Sequence, residues 1–154
     1  KITATSVKTS FYSNEIDNIS PLNAGAGNSF VLKLLVLCLT AAPGDILLLE
    51  NPEIHLHPGA QSRLGNLFSF LSAKGVQIIA ETHCEHLINR IRYEVYKKQI
   101  HSNDVLIHYK KNSMEPFEIL AINSGGHFCD TTGKEKSFPG GFFDSTLMEL
   151  LEIS

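Results

Sequence analysis

Two short apolar runs, ILLLE at 46–50 and VQIIAET at 76–82, constrain the fold more than any other feature of this chain. Each carries a glutamate at or next to its end, Glu50 and Glu81, and each is too apolar along its length to serve a sheet with one wet face. The segment between them, AQSRLGNLFSFLSAKG, places Leu64, Leu67, Phe68 and Leu71 on one helical face and closes on Gly75. Strand, helix and strand in that order predict two fully buried parallel neighbours joined by a crossover helix, within an α/β fold.

The flanks extend the pattern. Phe30–Ala42 is long and Leu-rich, with only Val31, Val36 and Thr40 β-branched, and reads as a helix capped by Asn28 or Ser29 and ended by Pro43-Gly44. CEHLINRIRYEVYKKQI, from Cys84 to Ile100, is an amphipathic helix with Leu87, Ile88, Ile91 and Val95 inward. At the start, KITATSVKTSFYSN alternates like an exposed strand, and EIDNISPLNAGAGNS is loop. Beyond residue 100, DVLIHYKK and PFEILAI read as an antiparallel pair. A Gly- and Ser/Thr-rich tail follows, with turns at Gly125-Gly126 and Gly140-Gly141, and DSTLMELLEI forms a short closing helix. The expected division is 1–100 for the main α/β unit and 101–154 for terminal strands and an extension.

Composition narrows the function classes. The 154 residues are 43% hydrophobic and 19% charged, which is enough to build a core. A net charge of −3 gives no general pull toward nucleic acid or acidic lipid. Phosphate contact would need a local patch such as Arg90, Arg92, Lys97, Lys98, Lys110 and Lys111, for which a solvated helix face is the simpler account. Cys38, Cys84 and Cys129 are widely spaced and form no CxxC pair, the usage of reduced thiols in a cytoplasmic protein. The run Val31–Ala42, interrupted by Lys33 and Thr40, is too short to span a bilayer, so no membrane partner is expected.

Chemistry is expected where the two strands end, because open α/β sheets bind ligands beyond the carboxyl ends of their strands. One run continues into Glu50-Asn51-Pro52-Glu53, the other into Glu81-Thr82-His83. If the strands are parallel neighbours, Glu50 and His83 face one crevice. A carboxylate at the tip of a buried strand is costly unless paired or bound to a cation. An alternative gathers His55 and His57 with Glu50, Glu53, His83 and His86 as transition-metal ligands of a His-rich hydrolase.

ILLLENPEIHLHPGAQ resembles the Walker B and D-loop segment of ABC-class ATPases, closest to the SMC/RecF/OLD-like AAA ATPases that carry E-x-P-E-x-H-L-H-P. VQIIAETH resembles their switch-histidine strand, and NAGAGNS (23–29) their signature loop, N-x-G-x-G-x-S. FPGGFFDSTLMELL resembles a C-terminal extension found on one bacterial branch. The resemblance implies a P-loop NTPase fold with a mainly parallel sheet flanked by helices, and binding and hydrolysis of ATP at a homodimer interface. It places Glu50 in the slot that holds Mg²⁺ through water, a hard cation that prefers oxygen. It places His83 on the γ-phosphate and His57 near the dimer seam. Gly25, Gly27 and Ser29 become an anion site at a helix N-terminus that reaches the nucleotide of the partner subunit.

Two positions depart from that pattern. Asn51 occupies the slot where many relatives carry the glutamate that activates water, and an amide can orient water without taking its proton. Glu53 is then the substitute base, or the protein is a nucleotide-gated clamp that closes on ATP and turns over slowly. Phe30 stands where the branch often has Gln. No G-x-x-x-x-G-K-[ST] occurs in the 154 residues, so the expectation is the C-terminal half of an ATPase domain, inactive alone. A nucleic acid or an effector protein is the further partner this resemblance implies.

Overall fold

The computed structural model describes residues 26–140 and 142–143. The expected strand at 1–14, Gly25 of the signature loop and the helix expected at 144–153 lie outside the described residues.

The first helix, α1, runs Ala26–Thr40, starting four residues earlier than the apolar run alone predicts. Asn28 and Ser29, expected as caps, are therefore inside its first turn. Among its described side chains only Leu34 and Cys38, four apart, are buried, while Leu39 is 77% exposed and Val36 55%. Gly44, at φ 95, donates its N–H to Gly75 O at 2.8 Å and turns the chain into β1, Ile46–Glu50. α2, Pro58–Ala73, starts with Pro at its first position, where the missing N–H costs nothing. It buries Leu64, Phe68 and Leu71, ends at Lys74 and reverses at Gly75, whose φ is 84. β2, Gln77–Glu81, then pairs parallel with β1 in the register Ile46↔Gln77, Leu48↔Ile79, Glu50↔Glu81. The mixed α/β character and the parallel pair are as the sequence predicts.

The burial of that pair is not. Leu47 is buried, and Leu49, Ile78 and Ala80 pack on the core formed with Leu34, Cys38, Leu64, Phe68, Leu71, Val76, Cys84 and Leu87. The opposite face carries Ile46, Leu48 and Ile79, which are 58%, 73% and 52% exposed. The runs are apolar on both faces, yet only one face is covered by the described residues; the expectation of full burial is corrected here. The physical reason is the alternation of a pleated strand: three helices on one side can cover only every second residue.

α3, Glu85–Tyr96, ends four residues short of the predicted span, and Lys98 follows at φ 59. It buries Leu87, Ile88 and Val95 as expected, and also Glu94, which accepts from Asn66 Nδ2 at 3.2 Å and lies 3.8 Å from Arg90. After a 3₁₀ turn at Ser102–Asp104, β3 (Leu106–Tyr109) and β4 (Glu118–Ile122) pair antiparallel, as predicted. β5, Phe128–Cys129, adds a short third strand inside the Gly-rich tail, which the sequence reading treats as loop. This sheet has its own core, in which Ile88 and Val95 of α3 meet Ile100, Ile122 and Phe128. Phe138, Phe142 and Phe143 pack against it as an aromatic cluster. Arg92 fastens the two units: its Nε donates to Gly126 O at 2.9 Å, and its guanidinium lies 4.2 Å from the Phe128 ring centroid.

Candidate functional site

The in-register parallel pairing brings both strand ends to one edge. Glu50 and Glu81 are direct neighbours there, both exposed, and among the described residues neither carboxylate makes a hydrogen bond or ion pair. Asn51 N–H donates to Glu81 O at 2.9 Å, extending the ladder one residue past the strand. Asn51 is left-handed at φ 43, and His55 at φ 61. Two non-glycine residues in that region, four apart, bend Pro52-Glu53-Ile54 into a tight turn, and such strain is held only where the surroundings impose it.

Pro52 and Glu53 are buried within that turn. Glu53 is 8% exposed, and its Oε1 accepts from Thr82 Oγ1 at 2.7 Å and from His83 N–H at 3.0 Å. Its Oε2 is buried without a hydrogen-bond partner. Thr82 Oγ1 also accepts from Cys84 N–H at 3.1 Å, and Cys84 Sγ donates to Gln61 Oε1 at 3.4 Å. Gln61 Nε2 in turn donates to Leu56 O at 3.0 Å. The turn after β1 and the loop after β2 are thus one hydrogen-bonded body. The His83 side chain stands exposed at its surface. Burial pushes the Cys84 thiol above its ordinary value, with Glu53 and Glu85 adding to the rise, so Cys84 is a buried small residue rather than a reactive thiol.

The start of α1 reaches the same body. A Cβ on Gly27 would lie 2.6 Å from His55 O, so only glycine fits where the helix meets the turn. Glu50, Asn51, Glu53 and His83 lie at the strand ends and in the loops that follow them, and Gly27 approaches the same turn at His55. Ser29 lies in the first turn of α1. His57 is the N-cap of α2, its Nδ1 accepting from Gly59 N–H at 3.2 Å, and it is exposed. Glu53, named as a substitute base, is turned inward under the loop.

The metal-hydrolase alternative is corrected. Among the described residues no three His, Cys, Asp or Glu side chains are grouped to hold a metal ion, and the His57 imidazole caps a helix instead. The left-handed His55 prevents the extended run that would aim His55 and His57 the same way. The basic patch is partly spent internally: Arg90 donates to Ser62 Oγ and pairs with Glu94, and Arg92 is used as described. No helix among the described residues is long and apolar enough to cross a membrane. Sequence reading did not single out Thr82 and Gln61 as site residues. Their signal was spacing alone, since a hydroxyl beside the switch histidine and an amide one helical turn after Pro58 look like ordinary surface.

A family model described as "AAA domain, putative AbiEii toxin, Type IV TA system" matches residues 6–89, more than half of the chain. The matched span contains α1, both parallel strands and the turns that carry the site. No curated protein matches the chain, and no solved structure does. An AAA-type domain is of the P-loop NTPase class, a nucleotide-binding, ATPase-like unit. By its sequence over residues 6–89, the chain belongs to this family of AAA domains.

Proposed function

We propose that the strand-end body binds the phosphates of Mg-ATP as the C-terminal half of an ABC-type ATPase of the SMC/RecF/OLD-like kind, with the phosphate-binding loop supplied elsewhere in the intact protein. The observation that carries this reading is the register Glu50↔Glu81, which brings Glu50 to the same strand edge from which the loop carrying His83 leaves. The donor set fits Mg²⁺: the Glu50 and Glu81 carboxylates are exposed hard-oxygen groups at the strand edge, unpaired among the described residues. When bound, Mg²⁺ supplies charge neutralisation for the transferring phosphoryl group. Glu50 holds that charge in place, His83 donates to the γ-phosphate, and Asn51 orients the attacking water. Gly27 and Ser29 in the first turn of α1, together with Gly25 of the same sequence motif, face the nucleotide of a second copy, with His57 at the seam between them. Residues 1–100 form the ATPase half and 101–154 an appended unit.

The test is ATP binding by calorimetry with Mg²⁺, on this chain and on the gene's full product, followed by turnover of variants. Glu50→Gln and His83→Ala in the full product are expected to lower turnover about a hundredfold, the usual loss for one aligned transition-state group. Unchanged turnover in both overturns the reading. A second reading, a slowly hydrolysing nucleotide-gated clamp, is favoured by Asn51 in the base slot. A large gain in turnover on Asn51→Glu identifies that clamp; no gain assigns proton transfer to another group.

A further inference from the structure

Glu53 is a poor investment as a purely structural group. A carboxylate that is more than nine-tenths buried loses its hydration, and one of its oxygens, Oε2, recovers nothing. Apolar replacement of such groups is commonly neutral or stabilising, so its cost to the fold argues for a task. The task is legible in what the other oxygen holds. Oε1 takes two donors from consecutive residues, Thr82 Oγ1 at 2.7 Å and His83 N–H at 3.0 Å, twenty-nine and thirty positions along the chain. Thr82 passes the restraint on to Cys84 N–H, the N-cap residue of α3. Glu53 itself is held from the other side, between the left-handed residues Asn51 and His55.

We propose that Glu53 is a positioning residue: its carboxylate fixes the backbone of His83 against the turn after β1, so that the exposed imidazole is presented in one orientation to the terminal phosphate of a nucleotide. This rests on the nucleotide reading given above, and it assigns Glu53 no contact with the reacting atoms. A hydrogen bond from an amide to a buried charge is among the stronger ones, so the His83 amide is protected from exchange while the carboxylate is in place. Loss of the restraint frees the imidazole without removing it. The interaction with the terminal phosphate weakens while contacts to the rest of the nucleotide persist.

The experiment has two arms. Amide hydrogen exchange at His83 is followed in this chain for the parent, Glu53→Ala, Glu53→Gln and Thr82→Val. ATP and ADP affinities are measured in the full product with the same substitutions and with Thr82→Ser. His83 exchange is expected to rise about tenfold or more in Glu53→Ala and by less in Glu53→Gln, whose amide oxygen still accepts. In the full product, Glu53→Ala and Thr82→Val are expected to erase most of the preference for ATP over ADP while ADP affinity stays within about twofold. Thr82→Ser, which keeps the hydroxyl, restores the preference. Unchanged exchange at His83 overturns the proposal, as does a proportional loss of both nucleotides. If the parent full product binds neither nucleotide, the nucleotide reading falls, and the exchange arm alone decides whether Glu53 fixes His83. Should Glu53→Ala fail to fold, Glu53→Gln and Thr82→Val carry both arms.

Discussion

At Asn51 the departure from glutamate has a local physical reason. The residue sits at φ 43, where Asn is tolerated because its short amide bonds locally, while a longer side chain meets the full steric penalty. Asn51→Glu is therefore expected to lower the unfolding free energy by about 1 kcal/mol, whatever it does to turnover. Chemical denaturation checks this, and an unchanged midpoint would mean that the turn relaxes. Gly27 makes the opposite demand. A methyl there would press on His55 O from 2.6 Å, a backbone atom that cannot swing aside. Gly27→Ala is expected to cost roughly 1–3 kcal/mol of overpacking, against a helix-propensity gain of at most about 1 kcal/mol. A stabilised variant in the same denaturation experiment would show that α1 has shifted away from the turn.

Between elements, the one-sided sheet yields a contrast. Leu47 and Leu48 are adjacent and chemically identical, yet 6% and 73% exposed. Leu47→Ala is expected to cost about 2–5 kcal/mol, and Leu48→Ala no more than about 0.5 kcal/mol, as read by urea unfolding of the two variants. Comparable losses would mean that the outer face is also packed. The sequence showed both strands, the crossover helix and the antiparallel pair, because each carries its own period and its own stop signal. It could not show which face of β1 is covered, since ILLL is apolar in both directions. Nor could it show β5, a two-residue strand formed only because β4 offers a partner edge. Glu50 and His83 were legible as strand-end residues. The inward turn of Glu53 was not, because it depends on left-handed backbone at Asn51 and His55, which a one-dimensional pattern does not record.

Over the whole molecule, two cores meet along α3, and Arg92 is their fastener. Arg92→Ala is expected to destabilise the β3–β5 unit by about 1–3 kcal/mol through the lost charged hydrogen bond and ring contact. Arg92→Lys should fail to restore it, since an ammonium lacks the planar fork that stacks and donates at once. Thermal unfolding followed at Tyr109 and Tyr96 distinguishes this from a uniform loss. The three thiols give a pH signature. Burial raises Cys38, Cys84 and Cys129 above the ordinary 9.0, with Asp130 and Glu135 adding to Cys129. The unfolded chain ionises first as pH rises, so their contribution to stability is present below about pH 9 and is lost as pH climbs through the higher folded values. Titration with a thiol reagent at pH 8 is expected to be slow in the folded chain and fast after denaturation.

The contact between Gly27 and His55 O also has a mechanical meaning. α1 is 15 residues long, a rod of about 22 Å, and its first turn rests on the strand-end turn with no clearance. A displacement of that turn toward α1 would press first on the helix backbone at Gly27, where no side chain stands between them. The motion would emerge at its other end, beside the exposed Leu39, where a neighbouring body could read it as a push.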